Sequence, residues 1–286
     1  MAKQPRMTRL AWGESADVFL LPKKRSMLGA RVVRIEKRFR GMPWVWEITP
    51  NWGLVHYYRM KLANLLFPEH IISMRGVVTH KKTARGLQPT YPQWYSKYYA
   101  LPQKARREIQ GIQKRIQASH QGKAAFKEVK ADVAAFDKSM RQRYPAIIET
   151  AKRMGEAGLV VPHPELNFTV HNGRIVFFEV ELKPGSARFD KIFETVLLRA
   201  KSIPRENAKK LFLQVLRLVC EIELAESQKN ISGNTSTKLG ICLGDFLELG
   251  VFNKKETERI AMAVNMLYLA QRARETARAF RLLRIK

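Results

Sequence analysis

Gly158-Leu-Val-Val-Pro-His-Pro-Glu-Leu-Asn-Phe-Thr-Val-His-Asn-Gly-Arg-Ile-Val-Phe-Phe-Glu-Val180 is the stretch whose reading decides the fold. A helix runs out at Gly158, and the loop behind it carries His163, Glu165 and Asn167. Phe168 to Val170 reads as a short strand, Asn172-Gly173 as a tight turn, and Arg174 to Val180 as a second strand ending in Glu179. Asn-Gly between β-branched and aromatic runs is the strongest short hairpin signal in a sequence. Such a hairpin brings Asn167, just before one strand, beside Glu179, at the end of its partner. A carboxamide and a carboxylate at that mouth form an oxygen-ligand pair suited to Mg²⁺. The same residues read equally as a surface hairpin with a polar rim.

Upstream, Pro145 to Gly158 is the helix that delivers the chain to this loop. Leu101 to Tyr144 reads as one or two long helices, broken or kinked at Gln121-Gly122. Phe126, Val129, Val133, Phe136 and Met140 step by three and four into a narrow apolar seam. Lys123, Lys127, Lys130, Lys138 and Arg141 lie off that seam, where the acids are few: Glu108, Glu128, Asp132 and Asp137. A charge run on a helix is usually a solvated face, but this imbalance also suits contact with phosphate backbones.

Nearer the N-terminus, Asp17 to Leu21 is a strand leaving a Gly-containing turn, and Arg31 to Phe39 alternates in the strand period. Arg34 is a cation on that second strand, read either as solvated or as a phosphate ligand. Leu54 to Phe67 is a helix with Leu54, Tyr58, Leu62, Leu65 and Leu66 near helical spacing, stopped before Pro68. Ile71 to Thr79 is a strand candidate, and Lys81 to Pro92 reads as a linker. The aromatics Tyr91, Trp94, Tyr95, Tyr98 and Tyr99 favour a packing patch over a base-stacking surface.

Downstream, Asp190 to Lys201 and Arg205 to Glu226 read as helices, and Gln228 to Lys238 as a flexible polar loop open to proteases. Leu239 to Val251 is a short helical or irregular segment. Asn253 and Glu256 form a capping box that opens the last helix. That helix buries Ile260, Val264 and Leu267 and then turns basic at Arg272, Arg274, Arg278, Arg281 and Arg284. Cations near a helix C-terminus suit its dipole, so part of the cluster needs no partner.

The 286 residues contain 52 Lys and Arg against 25 Asp and Glu, a net charge of +27. Such a field draws nucleic acid, nucleotides or anionic membrane. Hydrophobic content of 45% argues for a folded chain and against disorder. No apolar run is long enough to span a bilayer, and the N-terminal residues lack the apolar core of a secretory signal. Cys220 and Cys242 make neither a disulfide framework nor a metal motif, and they read as buried thiols of a cytoplasmic protein. No spacing supports His/Cys metal chemistry or Ser-His-Asp hydrolysis.

The order of the pieces resembles the two-lobed protein-kinase-like fold, and the nearest likeness is to atypical RIO-type and related bacterial small-molecule kinases. Gly13-Glu-Ser-Ala-Asp-Val-Phe19 is similar to their phosphate-covering loop, and Val32-Val-Arg-Ile35 sits where they carry the strand lysine. Glu156-Ala-Gly158 through Asn167 resembles the end of the helix and the catalytic loop, and Gly173 to Glu179 the strand ending in the metal-binding Asp. The resemblance implies an α+β fold, with a β-rich N-lobe over residues 1–90 and a mainly helical C-lobe over 91–286. It implies Gly13, Ser15 and Arg34 on the phosphates of ATP or another nucleotide, and Asn167 and Glu179 on Mg²⁺. Glu165, with His163 beside it, takes the catalytic position. The departures are plain: one glycine in the turn, Arg34 for lysine, Pro162 where the Asp base would fall, and Glu179-Val-Glu181 for Asp-Phe-Gly. They leave an atypical phosphotransferase or a pseudokinase as the expectation. The alternative is a non-enzymatic nucleic-acid-binding or ribosome-associated protein, using the helices around Lys123–Arg141 and Arg272–Lys286.

Overall fold

The β-rich runs of the first hundred residues form one antiparallel sheet in the computed structural model of the protein. The structure describes residues 8–12, 16–21, 32–36, 52–83, 86–96, 99, 103–120, 122, 125–183, 189–227, 230–270 and 273–283. The sheet holds β1 (Thr8–Trp12), β2 (Ala16–Leu20), β3 (Val32–Glu36), β4 (Met74–Thr83) and β5 (Gly86–Ser96) in the order β1-β2-β3-β5-β4. β1 and β2 pair antiparallel, with Trp12 opposite Asp17.

The stretch from Lys81 to Pro92 is not a linker. It holds the end of β4 and most of β5, which pair from Met74↔Ser96 to Thr83↔Gly86. Proline and glycine disguised it. Yet Pro89 lies beyond the reach of β3, whose pairing ends at Ile35↔Gln93, and Pro92 falls in the register shift between Val78 and His80. Strands admit proline at such unshared edges and bulges, where its missing N–H breaks no ladder.

Helix α1 (Trp52–Leu66) crosses between β3 and β4. The stripe of Leu54, Tyr58, Leu62, Leu65 and Leu66 is only part of its buried surface, since Val55, Met60 and Ala63 are also fully covered. Two partners explain this: β4 and β5 pack on one side, and α6 (Arg205–Ser227) on the other. A helix buried on two faces shows no single stripe. Arg59 reaches Glu226 at 3.0 Å across the α1–α6 contact, and one core cluster runs from Val55 to Leu283.

The middle of the chain is helical. α2 (Gln103–His120) and α3 (Phe126–Arg143) are separated at Gly122, and Val129, Phe136 and Met140 of the seam are buried. α4 (Ala146–Glu156) ends at Gly158, whose φ of +85° lets the chain leave in a direction closed to other residues. β6 (Leu159–Val160) pairs with β9 (Glu181–Leu182), and β7 (Phe168–His171) with β8 (Arg174–Phe177).

α5 (Asp190–Ala200) and α6 follow as expected. Two readings need correction beyond them. Gln228 to Lys238 is not a flexible loop, because α7 (Gly233–Glu248) begins inside it. Ser232 caps that helix through the Thr235 N–H, and the Ser232 N–H donates to Glu223 Oε2 at 2.7 Å. A polar run rich in Ser, Asn and Thr is as much a helix start as a loop. The last helix is in fact two, since α8 (Lys254–Leu269) stops at the extended Ala270 and α9 (Ala273–Leu282) packs back on it. The protein is thus a helix-rich α+β fold with small sheets. Among the described residues no helix is long and apolar enough to cross a membrane.

Candidate functional site

The site is built on the β7–β8 hairpin. Asn172 and Gly173 both take positive φ, 50° and 74°, as the turn requires. Phe168 then faces Phe177, and the Phe178 N–H donates to the Asn167 carbonyl at 2.9 Å. Asn167 is therefore opposite Phe178, and Glu179 is the next residue along. The regular strand ends at Phe177, so Glu179 sits in the turn of chain between β8 and β9, half-buried.

The connection between α1 and β4 holds this hairpin from the sheet side. Phe177 N–H donates to His70 O at 2.8 Å and Ile72 N–H to Phe177 O at 3.2 Å. Asn64 Nδ2 donates to Ile71 O at 3.0 Å. Tyr99 stands edge-on to His171 with ring centroids 4.9 Å apart, so this member of the aromatic cluster packs between the sheet and the hairpin. Tyr95 is buried in the sheet.

The loop from Val161 to Asn167 closes on itself. Asn167 Nδ2 donates to Pro162 O at 2.6 Å, which ties the amide nitrogen to the loop and leaves Oδ1 as the atom with lone pairs to offer. His163 is exposed, with a φ of +43°, and Leu166 N–H donates to its carbonyl at 2.9 Å. Glu165 is buried, and its Oε1 accepts from Arg141 Nε of α3 at 2.6 Å. Burial, and after it the Glu165 carboxylate, push the Asp137 carboxyl above its usual range, while Arg141 and His163 pull it the other way. Asp137, Arg141, His163 and Glu165 thus form one charged cluster where α3 meets the loop.

The sequence named Arg141 and Asp137 but not their roles. Their spacing of four residues on one helix face was the available signal. Of the residues expected on phosphates, Arg34 lies at the centre of β3, paired between Val18 and Trp94. Gly13 and Ser15 lie outside the described residues. His56 of α1 is buried.

For Mg²⁺ the donor types fit. The ion takes oxygens and keeps several from water or phosphate instead of a full protein cage. Asn167 Oδ1, just before β7, and the Glu179 carboxylate, two residues past β8, would be the protein's share. Among the described residues no group of three or more His, Cys, Asp or Glu forms a closed metal cage.

Compared with known proteins, the chain matches no protein-family model, no curated protein and no solved structure. Its class is accordingly set by architecture alone: a helix-rich α+β protein with a polar loop framed by a short hairpin.

Proposed function

We propose that this protein is a kinase-like, Mg-nucleotide-binding protein with a β-rich lobe and a helical lobe, working as an atypical phosphotransferase or as a pseudokinase. The observation that carries the reading is the hairpin register, which brings Asn167 and Glu179 to the mouth of one hairpin. The sheet agrees with it: β1 pairs with β2, Arg34 lies on β3, and α1 crosses to β4.

In this reading Gly13, Ser15 and Arg34 hold nucleotide phosphates, and Asn167 and Glu179 hold Mg²⁺. The ion, when bound, neutralises charge on the phosphate oxygens, and transfer then depends mostly on positioning. Glu165 is committed to Arg141, so its part is to fix that cation at the edge of the loop. With Glu165 so engaged, binding without rapid transfer is the expected behaviour.

Thermal unfolding with and without Mg·ATP, at matched ionic strength and with sulfate as a control, tests the reading. Ligand at about 100 times its Kd adds roughly 2.7 kcal/mol of stability. The expected shift needs Mg²⁺ and disappears in Glu179→Ala. A shift reproduced by sulfate alone, or none at all, sinks it.

A second reading, nucleic-acid binding, draws on α9. Arg274, Arg278 and Arg281 are exposed at spacings of four and three, along one face of that helix. Charge reversal there would flatten the salt dependence of RNA or DNA binding.

A further inference from the structure

We infer that the depression on α3 beside the loop is a subsite for a single small phosphate-bearing molecule. Resting on the kinase-like reading above, this molecule is the acceptor. The depression is about 460 Å³ and is lined, among the described residues, by Ala134, Asp137, Lys138, Arg141 and Gln142. All five lie on α3 at spacings of three and one, so they share one face of the helix. The small side chain of Ala134 leaves the space, and the longer ones rim it.

Arg141 is what makes this more than a charged surface. An exposed arginine is ordinarily free to wander. This one is pinned through Nε by a carboxylate whose side chain is 3% exposed, while its own side chain is 56% exposed. A guanidinium has five N–H donors, and the Nε bond spends one, so the terminal amino groups remain for oxygens of a ligand. Lys138, three residues back, is an exposed second cation on the same rim. A fixed fork beside a mobile ammonium matches a phosphate dianion, with bidentate bonds from one and charge from the other.

The acids decide between a small molecule and a polyanion. Glu128, Asp132 and Asp137 recur along α3, and Asp132 already holds Arg115. A phosphodiester chain laid along this helix would meet a carboxylate every turn or so. One phosphate group seated between Lys138 and Arg141 meets Asp137 on the rim, and beyond the guanidinium the Glu165 carboxylate that Arg141 already neutralises.

The test is calorimetric titration of the full chain with inorganic phosphate at fixed ionic strength, with acetate as the single-charge comparison. Lys138→Ala should weaken phosphate binding several-fold, and Arg141→Gln combined with Glu165→Gln by about tenfold or more. The double variant keeps a neutral hydrogen-bonding pair, so loss of folding is not the readout, and unfolding curves check this. Asp137→Asn should tighten binding by about threefold, since it removes a like charge. Lys255→Ala, exposed on α8, should change nothing. Phosphate binding that ignores the α3 variants, or an oligonucleotide that displaces phosphate far better than a phosphate monoester does, overturns the inference. Mg·ADP titrated in parallel separates the two claims: phosphate bound with this variant pattern but no Mg·ADP bound leaves the subsite standing and removes the nucleotide reading.

Discussion

Arg141 on α3 and Glu165 in the loop before β7 are joined by an Nε–Oε1 bond of 2.6 Å across 24 residues of sequence. Its two ends live in different solvents, because the carboxylate is buried and the guanidinium is largely exposed. Removing the cation leaves a carboxylate without water or countercharge, which is the costly half of such a pair. Arg141→Ala should therefore lower Tm, and adding Glu165→Gln to it should recover most of the loss. Thermal melts of the single and double variants decide it. A double variant no more stable than Arg141→Ala would show that the buried charge is not the cause.

Leu62 on α1 is fully buried, whereas Leu54 on the same helix is half-buried against the core. Leu62→Ala should cost about 2–5 kcal/mol, with the cavity adding to the lost transfer energy. Leu54→Ala should cost clearly less. Urea denaturation measures both, and equal losses would mean that α1 is not held between β4/β5 and α6.

What was legible in the sequence was what local chemistry decides. Asn172-Gly173 fixed a turn, Gly158 a helix end, and Asn253 with Glu256 a capping box, because each depends on neighbours a few residues away. The β4–β5 hairpin was missed because Pro89 and Pro92 speak against a strand, and only the distant end of β3 and the bulge on β5 excuse them. α1 was half seen, since its second buried face answers to α6, some 150 positions away in the chain. In the candidate site the approach of Asn167 to Glu179 followed from the hairpin alone. The Arg141–Glu165 bond did not, because nothing local says which of many cations reaches a buried acid.

The capping box of α8 is closed in both directions: Glu256 N–H donates to Asn253 Oδ1 at 2.9 Å, and Asn253 N–H to Glu256 Oε2 at 3.0 Å. Asn253→Ala should cost about 1 kcal/mol. The Asn253 N–H, and then Lys209, hold the Glu256 carboxyl below its ordinary 4.5. A depressed folded pKa gives stability that is present above that value and lost as pH falls through the lower folded one. The deficit of Glu256→Gln against the wild type should therefore shrink as pH falls below the carboxylate range. Melts across acidic pH check this, and a deficit that persists in acid would mean that its charge plays no part.

Glu221 on α6 behaves in the opposite sense. Burial raises its carboxyl above 4.5, although the Arg217 hydrogen bond at 3.0 Å, the Arg217 charge and Lys61 all pull it down. Burial, and after it the Glu221 carboxylate, push the Tyr58 hydroxyl up to about 12. A raised folded pKa means that the unfolded chain loses this proton first. The contribution is complete below 4.5 and is lost as pH rises through the folded value. Glu221→Gln removes that loss, at the expense of an ion pair with a half-exposed arginine worth about 0.5 kcal/mol or less. Relative to the wild type, the variant should gain stability as pH rises from 4.5 through the raised folded value. A difference in Tm that stays constant over that range would show that Glu221 folds as readily charged as neutral.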